Sequence, residues 1–212
     1  MGRIKQQHPR RERAEFKIRR AKTRDVPAIT AIMPTAFGIL GGAQWANPEY
    51  VLDGIYTMQS EMSSRTELVV AAVGTEVVGC AAHYLAWRGE NVYPAVGISM
   101  GIAVAPQHQG RGFGRALLAH RDAYLTRVGA KVVYAAVRPQ ARQFFEAAGY
   151  SVFDSATTIR IIMSEGTYAD HLPGNMTVYA VKRLGPEREW AVETSGSEVT
   201  IDVTGNSINY VI

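Results

Sequence analysis

The chain has 212 residues, of which 47% are apolar and 20% charged, and its formal net charge is +4. That length is enough for one domain with a full core and short for two. No run of 18 or more apolar residues occurs, which excludes a helical membrane span, and the lone Cys80 excludes an internal disulfide.

Residues 1–14 read as a basic flexible arm. Residues 1–24 carry a net +8 and the remainder a net −4. The basic character therefore belongs to this arm, which either binds a polyanion such as nucleic acid through phosphate contacts or is a solvated leader. With no apolar segment behind it and a single cysteine, the expected setting is reduced and cytoplasmic. A first strand is predicted over 16–20, then a helix over 25–33 with Pro27 in its first turn. Pro34, Gly38, Gly41 and Gly42 predict a loop, and a second helix follows Asn47-Pro48. Strands over 67–73 and 76–86 form a hairpin at Gly74-Thr75, and another strand runs over 96–104 to Pro106. A helix over 112–128 and a buried strand over 131–137 come next. A short helix then runs from Pro139 to Ala148, closed by Gly149. Strands near 151–153, 159–163 and 176–183 complete a domain spanning 15–185. Residues 186–212 form an extension whose hairpin, 198–203 with 207–211, covers a sheet edge or pairs with a second copy in a homodimer. The expected fold class is α/β (α+β): a mixed, mostly antiparallel sheet of about seven strands flanked by about four helices.

The stretch from Gly101 to Leu118 carries the chemistry. An apolar strand ends at Pro106, and the loop Gln109-Gly110-Arg111-Gly112-Phe113-Gly114 leads into an amphipathic helix. Alternating glycines permit positive φ and close approach of a ligand, and the free amides of the helix start favour an anion. Arg111 and Arg115 add positive charge. Phosphate or pyrophosphate binding follows, beside the plainer reading that a tight strand-to-helix turn needs glycine for packing. A Gly-Lys-Ser/Thr ending is absent, and the next strand ends in Arg138 where a dinucleotide fold wants an acid.

Gln109-Gly110-Arg111-Gly112-Phe113-Gly114 resembles the cofactor signature of the GNAT superfamily of acyl-CoA-dependent N-acyltransferases. A second block, Ala141-Arg142-Gln143-Phe144-Phe145-Glu146-Ala147-Ala148-Gly149-Tyr150, is similar to that family's Ala-x-x-Phe-Tyr-Glu-x-x-Gly-Phe element. The resemblance implies acetyl-CoA or another acyl-CoA as cofactor. Its pyrophosphate would be held by backbone amides from Gln109 to Arg115. Its arm would pair with the strand ending at Ala103-Val104, and an amide near Ile102 or Ala103 would polarise the thioester. Phe144 and Phe145 would flank its tail. Two positions depart from the pattern: Arg138 replaces a common Asn, and Phe145 replaces the Tyr that serves as general acid. Arg138 either contacts cofactor phosphate or an acidic substrate, or is a solvated strand end.

Amine acylation needs a base and an acid, or proximity alone. The candidates are Ser99 on the strand before the signature, Glu90 in a surface loop, His83 with its suitable intrinsic pKa, and Tyr134. His83 and Tyr84 are neighbours on one strand, so one of the two faces the cleft. Tyr150 and His108 are further, weaker candidates. No metal is expected. Phe37, Trp45, Trp87 and Tyr93 would line an aromatic mouth for the acceptor. The function implied is transfer of an acetyl group to a primary amine of a small molecule or protein. Two alternatives stand beside it: an acyltransferase acting on a nucleobase or charged tRNA through the arm, and a non-catalytic acyl-CoA-binding module.

Overall fold

Alternation along the strands decides which layers cover the sheet. Leu68 and Val70 pack with one set of helices while Val69 and Ala71 pack with another, as expected of strands buried on both faces. A computed structural model describes residues 16–59, 66–88, 91–153, 158–164, 166–171, 178–184 and 191–204. The arm over 1–14, Glu90, and the predicted strand over 207–211 lie outside these residues.

The strands are β1 (Lys17–Arg20), β2 (Thr66–Val73), β3 (Glu76–Arg88), β4 (Asn91–Val104), β5 (Val132–Val137), β6 (Ser151–Phe153), β7 (Thr158–Met163), β8 (Gly166–His171), β9 (Val178–Arg183), β10 (Ala191–Ser195) and β11 (Glu198–Asp202). The helices are α1 (Val26–Gly41), α2 (Pro48–Gln59), α3 (Phe113–Arg127) and α4 (Arg142–Glu146). The main sheet has seven strands in the order β1-β2-β3-β4-β5-β9-β6. All its neighbours are antiparallel except β4 and β5. This is the mixed, helix-flanked sheet expected from the sequence.

One face of the sheet is covered by α3 and α4, which pack on Leu85, Val133, Ala135 and Val137. The other face is shared. Cys80, Ala82 and Ala103 meet α1 and α2. Farther along, Ala86, Ile98, Tyr134 and Tyr179 meet a second sheet, ordered β10-β11-β7-β8. Ile159, Ile161 and Ile201 of that second sheet are fully buried, each contributing roughly 1.5–3 kcal/mol.

Several elements differ from expectation for identifiable reasons. The first helix continues through Pro34 to Gly41. Proline removes one backbone donor, and the Thr35 hydroxyl bonds the Ile32 carbonyl within the same turn at 2.7 Å. The region read as a loop near 85–95 is instead the far end of the β3–β4 hairpin, where Trp87 opposes Val92. β8 was not foreseen. The expected strand over 198–203 forms as 198–202 and pairs in a hairpin with 191–195, which was not expected, around Gly196 (φ 57°). Its second strand pairs in parallel with β7, so 191–202 is integral to the second sheet.

Candidate active site

The glycine loop sits where β4 ends, and its backbone takes the conformation that its sequence permits. Gly110 and Gly112 have φ of 72° and 90°, and Gly112 is the N-cap of α3 with no side-chain cap. The first amides of α3 therefore lack a side-chain acceptor and bear the positive end of the helix dipole. Gly114 has a different reason to be glycine: a Cβ there would lie 3.2 Å from Phe144. Gln109 ties the loop to the strand by donating to the Val104 carbonyl at 3.0 Å. His108 lies 2.9 Å from Glu76 through Nε2 and 2.9 Å from Arg111 through Nδ1. Arg111 can only donate, so Nδ1 accepts and Nε2–H donates to Glu76. Arg111 is also held over the Phe113 ring at 5.4 Å.

The loop borders an open cleft of about 1390 Å³ lined by Ile102, Val104, residues 108–116, Ala119, Phe16 and Phe144. Of the residues expected to hold a cofactor, Ile102, Val104, Gln109 to Arg115 and Phe144 all line it. Ala103 points to the opposite face, against α1 and α2. Phe145 is buried, edge-on to Tyr150 at 5.3 Å. Arg138 is exposed and reaches across to the Thr35 carbonyl of α1 at 3.5 Å.

Beside this cleft the sheet opens. β4 and β5 pair only from Val96 with Val132 to Ser99 with Ala135. Beyond that point β5 stays with β9 and β4 with β3. Met100 is an extra residue in β4, bulged between the Ser99–His83 and Gly101–Ala82 pairs. The β5-side edge of 100–104 thus has no strand partner among the described residues.

Tyr134 stands one pair before the parting, opposite Ile98. Its hydroxyl donates to Asp170 Oδ2 at 2.7 Å and lies 2.9 Å from the Tyr168 hydroxyl. Burial, then Tyr168 and Asp170, push the Tyr134 phenol well above its ordinary value, so it stays protonated. Tyr84 faces the same side and is raised by burial, Tyr168, Asp170 and Tyr50. No strand is predicted over 166–171, so nothing in the sequence marks Asp170; Thr167-Tyr168 after Gly166 is the one strand-favouring cue there.

The remaining candidates are dispersed. His83, fully buried, faces α3, while its neighbour Tyr84 faces the parting. The His83 Nε2 is 3.1 Å from Glu67 Oε2, which also receives His120 at 3.0 Å. Burial lowers the His83 pKa, so it is neutral and donates to Glu67; the Glu67 carboxyl is held far below the usual range by the two imidazoles despite its burial. This cluster lies on the α3 face of the sheet, away from Tyr84 and Tyr134. Ser99 is opposite His83 and lies on the α3 face as well. Trp45 is buried against Tyr50 at 5.2 Å, in the core between α1 and α2. Tyr93 packs on Tyr168 at 5.4 Å. Trp87 is on β3 and Phe37 on α1; their side chains lie outside what the structure describes. Tyr150 bonds Arg121 and Asp122 beneath α3.

Residues 64–152 match the family model described as an acetyltransferase (GNAT) domain. A search by sequence finds no curated relative. Among solved structures, the chain resembles ribosomal-protein-alanine N-acetyltransferase from Brucella melitensis at 20% identity and a TM-score of 0.59, covering 79% of this chain and 99% of that one. It resembles PaiA N-acetyltransferase from Thermoplasma acidophilum, solved with coenzyme A, at 13% identity and 0.59, covering 80% and 99%. N-acetylglutamate synthase from Neisseria gonorrhoeae, complexed with coenzyme A and N-acetyl-glutamate, matches at 21% and 0.56, covering 82% of this chain and 36% of that one. At these identities the likeness shows the fold; the domain match and the glycine loop supply the rest. Residues 64–152, which hold both the glycine loop and most of the Phe144-Phe145 block, thus match a GNAT acetyltransferase domain, within a fold shared with solved acetyltransferases.

Proposed function

We propose that this protein transfers an acyl group, acetyl in the first instance, from acyl-CoA to a primary amine of a small molecule or protein by direct attack in a ternary complex. The observation that carries the reading is the unpaired β4 edge over 100–104 running straight into the glycine loop. Acyl-CoA supplies the thioester, an activated acyl carbon with a good leaving group. Amides from Gly110 to Arg115 would take the pyrophosphate, with Arg111 and Arg115 adding charge. The tightness of Gly114 against Phe144 suits a flat, closely bounded cleft wall. The β4 edge would hold the amide-bearing arm by strand-like pairing. A backbone N–H at Ile102 or Ala103 would stabilise the oxyanion.

Phe145 is buried and has no proton to give, so the acid near the leaving sulfur comes from elsewhere. The Tyr134 hydroxyl, one pair before the parting, is our candidate for this role on position alone. Calorimetry with acetyl-CoA, followed by thiol release across a panel of amines, tests the reading. Micromolar binding and amine-dependent thiol release are expected; tight binding with no turnover on any amine would make the chain a non-catalytic acyl-CoA binder.

A further inference from the structure

The glycine loop is tethered from outside by a chain of polar side chains. Glu76 opens β3, and His108 closes the short 3-10 turn that follows β4. The His108 side chain is only 12% exposed and stands edge-on to Phe113 at 6.2 Å. Its Nε2–H donates to Glu76 at 2.9 Å, and its Nδ1 accepts from Arg111 Nη1 at 2.9 Å. Arg111 belongs to the loop itself, between Gly110 and Gly112, both with positive φ. Its guanidinium lies over the Phe113 ring at 5.4 Å, and Phe16 packs edge-on to that ring at 5.0 Å. Phe16, His108, Arg111 and Phe113 all line the cleft.

An exposed arginine flanked by glycines would ordinarily sample many rotamers, and fixing it on an anion opposes binding. Here the side chain is already fixed by a ring beneath it and an acceptor beside it. A guanidinium has several N–H donors, and His108 engages Nη1 alone, so the rest of the fork is left for an anion. Nδ1 is an acceptor only while the ring proton sits on Nε2, and the Glu76 carboxylate holds it there. Glu76, 32 residues from His108 in sequence, thereby sets which way the imidazole faces the loop. Its side chain is 58% exposed, so its pairing adds little to stability. What the chain of contacts does is place Arg111.

We propose that Glu76 and His108 are positioning residues that hold the Arg111 guanidinium ready at the glycine loop, so that the cofactor's phosphates bind without first ordering it. The proposal rests on the acyl-CoA reading above. The phosphates are met by the loop amides and by Arg111; Glu76 and His108 act only through Arg111. Arg115 lines the same cleft and is exposed, and among the described residues it has no comparable tether. It therefore serves as the internal control.

The test is the Kd for acetyl-CoA, measured by calorimetry on the full chain and its variants. His108→Phe keeps a ring beside Phe113 but has no nitrogen, and it is expected to weaken binding about two- to ten-fold, the effect of ordering one flexible side chain on binding. His108→Asn, whose amide oxygen stands near the place of Nδ1, should recover part of that loss. Glu76→Ala should lose affinity in the same direction by a smaller factor. In an Arg111→Ala background His108→Phe should weaken binding no further, whereas in an Arg115→Ala background it should keep its full effect. A wild-type Kd in His108→Phe overturns the proposal, and so does a loss that persists undiminished after Arg111→Ala. Should His108→Phe fail to fold, Glu76→Ala takes its place in both cycles. If acetyl-CoA binds but no amine releases thiol, the transfer reading falls and the cycles still decide the role of His108. If acetyl-CoA does not bind, the cofactor reading falls and the cycles are run with inorganic pyrophosphate. Coupling of His108 to Arg111 there upholds the proposal, and absence of pyrophosphate binding overturns it.

Discussion

The cofactor end of the cleft takes its shape from one continuous stretch, Val104 to Arg115, and works mainly through backbone: two glycines with positive φ, a helix start, and a strand edge. The seam between the two sheets is built instead from β5 and β8 and works through side chains, with Tyr134 reaching Asp170 and Tyr168 across it. A backbone site tolerates much side-chain change but little change of conformation. A side-chain network set on separate strands depends instead on how the two sheets are packed. The two regions should therefore fail differently.

The largest effect should come from the packing between the sheets. Ile201→Ala removes a fully buried side chain from the second sheet and is expected to cost about 2–5 kcal/mol. Thermal unfolding reads the loss directly. If the comparison holds, the KM for amine should rise in this variant while the Kd for acetyl-CoA stays near its wild-type value. Gly112→Val tests the converse. The site has room for a side chain, but φ of 90° strains it by roughly 1–3 kcal/mol. Acetyl-CoA affinity should fall about 10- to 100-fold with amine binding little altered; equal loss of both would break the distinction.

Glu67 lies in neither region and serves as the control. Its carboxylate holds His83 and His120, so Glu67→Gln should lower stability by about 2 kcal/mol without changing either ligand's affinity. The sign with pH follows from two lowered pKa values. The contribution of Glu67 is fully present above the unfolded carboxyl's value of about 4.3 and drains away as pH falls toward its folded value. His83 stays neutral when folded but takes a proton when unfolded, so stability already declines as pH drops through about 6.5. Melting temperatures from pH 8 to 4 should fall in acid, and Glu67→Gln should flatten the lower part of that curve. The smallest effect belongs to Arg160→Ala. Its pair with Glu198 joins β7 to β11 at 2.9 Å but is exposed, so a change of about 0.2–1 kcal/mol is expected.

The same contrast explains how much could be read from the sequence. The glycine loop, its strand and its helix are consecutive residues whose types state their conformations, and the main sheet follows from alternating apolar runs. Phe144 and Phe145 are adjacent, yet one lines the cleft and the other is core; only the turn of α4 decides between them. Likewise His83 and Tyr84 take opposite faces, and the sequence said that one would face the opening but not which. Trp45 looked like a loop aromatic because Pro34 was expected to end α1; once the helix runs on, that side chain is sealed beneath it. Asp170 was unreadable because its meaning depends on Tyr134, 36 residues away in sequence and 2.7 Å away in space.

The parallel pairing of β7 with β11 also bears on the order in which the chain acquires its parts. Glu198 to Asp202 lie beside Thr158 to Ile162, so this ladder closes a long loop and must wait for the last described strand to be made. Non-local parallel pairing is slow because the entropy of closure precedes the contacts that compensate it. During synthesis the glycine loop and its helix emerge well before residue 202, whereas Tyr134 and Tyr179 stay uncovered until the second sheet docks. A nascent chain would thus complete the glycine loop and its helix before the tyrosines between the two sheets are covered.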